Sequence, residues 1–188
     1  MKRILIFASG SGTNAENIIK HFKNAGFARV TDVFTNNQNA GVIQKATQLD
    51  VPTTVFSKEE LLDGSVSTKV TSKNPDLIVL AGFLLKFPDD IIARFPNKII
   101  NIHPALLPKY GGKGMYGMNV HRAVYNNKDT ETGISIHYVN EHYDEGGIIS
   151  QHKVAIDDCA SAEEIAAKIH ELEQEFFPKV IEQLLRID

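Results

Sequence analysis

Residues 75–83 read PDLIVLAGF, and from Leu77 to Ala81 no polar side chain interrupts the run. A strand with one wet face alternates polar and apolar residues, because its side chains point to opposite sides in turn. An unbroken run is instead the mark of a strand covered on both faces, as in a parallel sheet with helices on each side. RILIFAS (3–9) has the same character. Between the two runs the pattern alternates. A helical stretch at 14–25 leads to the strand ARVTDVFT (28–35), then come a helix at 39–49, a short strand TTVF (53–56) and a polar helical segment at 58–72. This βα alternation predicts an α/β fold: a single-domain, doubly wound, mostly parallel open sheet.

Beyond residue 98 the pattern changes. KIINIHP is a strand, followed by a long loop, ALLPKYGGKGMYGMN, punctuated by Pro108 and four glycines. Loops of that length in a compact domain are usually functional. A helix near 119–127 and strands at 133–139 and near 147–155 follow. The last helix opens at SAEE, where Ser161 and Glu164 have the spacing of a capping box. Its apolar positions Ile165, Ile169, Leu172, Phe176, Val180 and Leu184 predict one buried face, and Pro178 is expected to kink or divide it. With no repeat, linker or low-complexity tract, residues 1–188 read as one domain.

Composition narrows the function classes. The chain is 43% hydrophobic and 23% charged with a net charge of −3, so no basic surplus argues for a nucleic-acid partner. A single cysteine, Cys159, excludes an internal disulfide framework and suits a reducing compartment. The apolar start is cut short by Ser9 and Gly10, too early for a signal-peptide core or a membrane span. The expectation is a cytoplasmic enzyme with no membrane partner.

Two stretches carry chemistry. ASGSGTNA (8–15) lies between the first strand and the first helix, where small residues admit a ligand to free N–H groups at a helix N-terminus. Gly10, Gly12 and Ala15 also satisfy a dinucleotide fingerprint. That reading needs an acidic residue ending the second strand, and the segment there reads FTNNQN. Phosphate binding without a dinucleotide is therefore preferred. In IINIHP, Asn101 and His103 project to the same side of a strand end, where open α/β sheets bind ligands. An amide and an imidazole side by side suit acyl-type chemistry, in which negative charge develops on oxygen. A histidine there is also readable as structural or as a metal ligand. The histidines show no ligand spacing, and no serine sits in a nucleophile elbow. Asp144, ahead of a Gly-Gly pair, is the carboxylate that would favour a protonated His103.

SGSGTN, AGFLLKFP (81–88), NIHPALLPKY (101–110) and DEGGII (144–149) together resemble the phosphoribosylglycinamide formyltransferases, over residues 1 to about 185. NIHPALLP alone is shared across the wider formyltransferase superfamily; the SGSGTN loop narrows the choice. The resemblance implies a catalytic trio of Asn101, His103 and Asp144. It implies that Gly12, Thr13 and Asn14 bind the substrate phosphate and that Glu173 holds the glycinamide substrate. Leu84, Leu85, Lys86 and Phe87 would line the folate pocket together with Asn101, and Lys58 would lie near the folate tail. Two departures, the glycine-rich lengthening of the loop after Tyr110 and Leu85 in place of an arginine found in some members, fall at the mouth of that pocket.

The implied reaction takes the formyl group from 10-formyltetrahydrofolate to the amine of 5′-phosphoribosylglycinamide. Asn101 and His103 would stabilise the oxyanion, Asp144 would keep His103 protonated, and the loop at 109–118 would close over the site. No metal or ATP is required, and a homodimer is a candidate assembly. The alternative is another formyltetrahydrofolate-dependent transferase or hydrolase of the superfamily.

Overall fold

The computed structural model describes residues 1–187. Strands β1 (Lys2–Phe7), β2 (Ala28–Thr35), β3 (Thr53–Val55), β4 (Leu77–Leu80), β5 (Ile99–His103), β6 (Glu131–Tyr138) and β7 (Ile148–Ala155) form one sheet in the order β3-β2-β1-β4-β5-β6-β7. The first five run parallel, and β6 and β7 extend the sheet antiparallel. The two apolar runs behave as the missing alternation requires. Ile4 to Phe7 and Leu77 to Leu80 are buried throughout. Successive residues serve opposite faces: Ile4, Ile6 and Val79 belong to one core, Leu5, Phe7 and Ile78 to the other.

Helices α1 (Thr13–Phe22), α2 (Gly41–Gln48), α6 (Met118–Asn126) and α7 (Ala162–Ile187) cover the first face. On the second face lie α3 (Lys58–Leu62), α4 (Ser65–Lys73) and α5 (Asp89–Arg94). The segment expected as one helix over 58–72 is two, because Gly64 adopts φ 87° and caps the start of α4. The short α5 escaped the periodicity reading, although Asp89, Asp90 and Arg94 complement its dipole from the two ends.

Pro178 does not divide α7, which runs unbroken for 26 residues. Proline lacks the N–H that would bond the Gln174 carbonyl, and Asn17 of α1 supplies a replacement, its Nδ2 donating at 2.7 Å. Ile165, Ile169 and Val180 of α7 are buried as expected, but in its second half the deep face moves by one residue: Phe177, Ile181 and Leu185 are buried, while Phe176 and Leu184 are half-buried. At its start, the Glu164 N–H donates to Ser161 Oγ as a capping box requires. The Glu164 carboxylate reaches back one residue further than expected, to the Ala160 N–H.

Candidate active site

The carboxyl ends of β1, β4 and β5 open on a cleft of ≈ 680 Å³, at the point where the strand order reverses. One wall is the loop after β1. Gly12 caps α1 with φ 73°, and a Cβ there would sit 2.5 Å from the Val42 Cβ, so only glycine fits. No side chain caps the first N–H groups of α1, which stay available to an anion. Asn14 ties this wall to α7: its Nδ2 donates to Glu173 Oε2 at 2.9 Å, and its Oδ1 accepts from Gln174 Nε2 at 2.6 Å. Gly12, Thr13, Asn14 and Glu173 thus share one end of the cleft.

The opposite end holds the polar end of β5. The turn that follows β5 is pinned from beneath by Ser135, whose Oγ donates to the Ala105 carbonyl and accepts from the Leu107 N–H. Gln151 adds bonds to Ser135 Oγ and to the Leu107 carbonyl. His103 is 3% exposed. Its Nε2 donates to the Tyr110 carbonyl at 2.8 Å, and its Nδ1 lies 3.5 Å from Asp144 Oδ2. Asp144 has φ 56°, a left-handed conformation aspartate tolerates, and its Oδ2 accepts the Gly112 N–H at 2.9 Å. Gly146 lets this segment pass close to β6, since a Cβ there would lie 1.7 Å from the Tyr138 carbonyl oxygen.

No sequence motif marks His137. Its Nδ1 is 2.8 Å from the Tyr138 carbonyl, which can only accept, so Nδ1 carries the hydrogen. Nε2 is then the acceptor for Asn101 Nδ2 at 3.1 Å, and Asp144 Oδ1 lies 3.6 Å away. The side chain that fixes the Asn101 amide comes from the antiparallel neighbour, through a register that places Asn101 opposite His137. That pairing is invisible in a one-dimensional pattern.

The influences on His103 pull in opposite directions. Burial lowers the His103 pKa below the ordinary histidine value, against the opposing pull of Asp144 and the Tyr110 carbonyl. Burial works to raise Asp144, but its hydrogen-bonding neighbours, the Gly112 N–H among them, outweigh it and hold the carboxyl below its ordinary value. Acceptors flank both ring nitrogens of His103, the Tyr110 carbonyl at Nε2 and Asp144 at Nδ1.

Leu84 to Phe87 also line the cleft. The Leu84 N–H is engaged by Ser9 Oγ at 3.0 Å, and Phe87 packs its ring against Phe7 and Phe83. Lys58 starts α3, is exposed, and is not among the residues lining the cleft. The glycine-rich loop does reach it, through Gly112, Lys113 and Met115 among others. Among the described residues no group of three His, Cys, Asp or Glu side chains is placed to hold a metal ion. None of the described helices is long and apolar enough to cross a membrane.

The family model for formyl transferases matches residues 2–181. The chain belongs to the formyl transferase family. Within that family it is 35% identical to the phosphoribosylglycinamide formyltransferase of Haemophilus influenzae, over 96% of this chain and 86% of the relative. It is 32% identical to that of Bacillus subtilis, over 100% and 97%. A chloroplastic relative from Vigna unguiculata is 35% identical over 97% of this chain, which spans only 61% of that longer protein. The structure of glycinamide ribonucleotide transformylase 1 from Geobacillus kaustophilus superposes with a TM-score of 0.89 at 34% identity, over 98% of this chain and 99% of the other.

Proposed function

We propose that this protein transfers the formyl group of 10-formyltetrahydrofolate to the amine of 5′-phosphoribosylglycinamide. The observation that carries the reading is the two-ended cleft. At one end are the uncapped N-terminus of α1 and the Asn14–Glu173 pair, suited to a phosphorylated sugar. At the other are an oriented amide and a buried His–Asp pair, suited to acyl chemistry. The folate lies along Leu84 to Phe87, with its formyl carbon toward Asn101.

The acceptor amine attacks the formyl carbon, and the carbonyl π electrons move onto oxygen. Asn101 Nδ2 has one hydrogen directed to His137 and a second free to meet that oxyanion. His103 lies beside the reacting carbon with the Asp144 carboxylate 3.5 Å from its Nδ1, a partner that favours the protonated, donating ring. The proton that the amine sheds passes to the folate nitrogen as the carbon–nitrogen bond breaks and the carbonyl re-forms.

A spectrophotometric assay of folate product, run with and without phosphoribosylglycinamide, tests the reading. Product that requires the acceptor, and nearly vanishes in Asp144→Asn, supports it. Equal product without acceptor would make the protein a hydrolase, and no product in either case would leave only a binding role.

A further inference from the structure

One cleft side chain has no part in that reaction. His121 sits on α6 next to Val120 and near Val124, both fully buried, and is itself 6% exposed. It lines the cleft that contains Asn14, Glu173 and His103. Glu173 on α7 and His103 on β5 are the titratable groups nearby that act on it, and all three line the same cleft. A histidine kept for packing normally satisfies its inner nitrogen with a protein acceptor or donor. The His121 Nδ1 is buried and has no partner. The ring therefore meets the cleft with its other edge, which carries Nε2.

The missing partner fixes the tautomer. Burial disfavours the charged ring, and a neutral ring carries a single hydrogen. A hydrogen on Nδ1 would be a buried donor with nothing to receive it, so the hydrogen belongs on Nε2, pointing into the cleft. His121 thus offers the cleft a donor, alongside Glu173, a carboxylate that only accepts, and the N–H groups of the glycine loop. A glycinamide ribonucleotide spanning the cleft gives its phosphate to the loop and hydroxyl donors to Glu173. Its remaining strong uncharged acceptor is the amide carbonyl, next to the reacting amine.

We propose that His121 is a further acceptor-substrate residue, donating from Nε2 to the amide carbonyl and so holding the adjacent amine toward Asn101 and His103. This inference rests on the transfer reaction proposed above. The test compares His121→Phe and His121→Gln in the full chain, varying each substrate in turn; glutamine places its amide donor near the position of Nε2. The expected result for His121→Phe is a rise in acceptor KM of about tenfold or more, the effect of losing one hydrogen bond to substrate. The folate KM should stay put, and His121→Gln should recover most of the loss. An unchanged acceptor KM in His121→Phe overturns the inference while leaving the transfer reading intact. So does a glutamine variant that folds like wild type but binds acceptor no better than phenylalanine. Wild type that fails to formylate the glycinamide at all overturns both.

Discussion

Asn101 on β5 faces His137 on β6, and its Nδ2 lies 3.1 Å from an imidazole nitrogen that can only accept. This pairing orients the amide before any ligand arrives, so its free hydrogen needs no reorganisation when charge develops. Asn101→Ala is expected to lower kcat by about 10²–10³-fold with little change in either KM. His137→Phe removes the orienting acceptor but leaves the amide, and its loss should be clearly smaller. Steady-state kinetics on both variants checks the order; an equal or larger loss in His137→Phe would make His137 the principal group.

Stability should fall on acidification through the histidine range. Burial lowers the pKa values of His103, His121 and His152, so the unfolded chain binds more protons than the folded one below the ordinary histidine value of about 6.5. Stability tied to these groups is present above that pH and is lost as pH falls toward their folded values. His170 has the opposite sign, because its hydrogen bond to Glu173 raises it and stabilises the fold below about pH 6.5. Urea unfolding at about pH 7.5 and about pH 5.5 should give a lower midpoint at the acid value, with a smaller difference in His121→Phe.

Gly12→Ala should damage both fold and site. The left-handed φ of 73° and the 2.5 Å approach to the Val42 Cβ together predict a loss of about 1–3 kcal/mol, visible as a lower melting temperature. Adding Val42→Ala should not rescue it, because the Val42 Cα would itself lie 2.6 Å from the new Cβ. Full rescue by the double variant would show that the clash is with the valine side chain alone.

Asn17 and Pro178 should be coupled. Asn17→Ala strips the Gln174 carbonyl of its donor, at a cost of about 1–3 kcal/mol for an unpaired acceptor. In a Pro178→Ala background the restored backbone N–H can bond that carbonyl, and Asn17→Ala should cost markedly less. A double-mutant cycle measured by denaturant unfolding reads the coupling directly; strict additivity would mean the carbonyl is served by water once Asn17 is gone.

The sequence by itself determined the architecture, because burial on two faces leaves a period-free apolar run wherever a parallel strand passes, as at 4–7 and 77–80. It also singled out the local devices: a glycine at the mouth of α1, a polar pair ending β5, a serine ahead of α7. Each depends only on neighbours in the chain. The two helices at 58–62 and 65–73, and the buried seam of α7 shifting onto Phe177 and Ile181, are tertiary choices, made by a left-handed glycine and by packing on the sheet.

Only the fold decided which distant residues meet. His137 is 36 positions from Asn101 and becomes its partner through antiparallel register. Glu173 lies 159 positions from Asn14 and reaches it because α7 packs against α1. The protonation state of His103 was likewise beyond the sequence. An adjacent carboxylate argues for a charged ring and burial against it, and the balance between them depends on how much water the packed protein excludes.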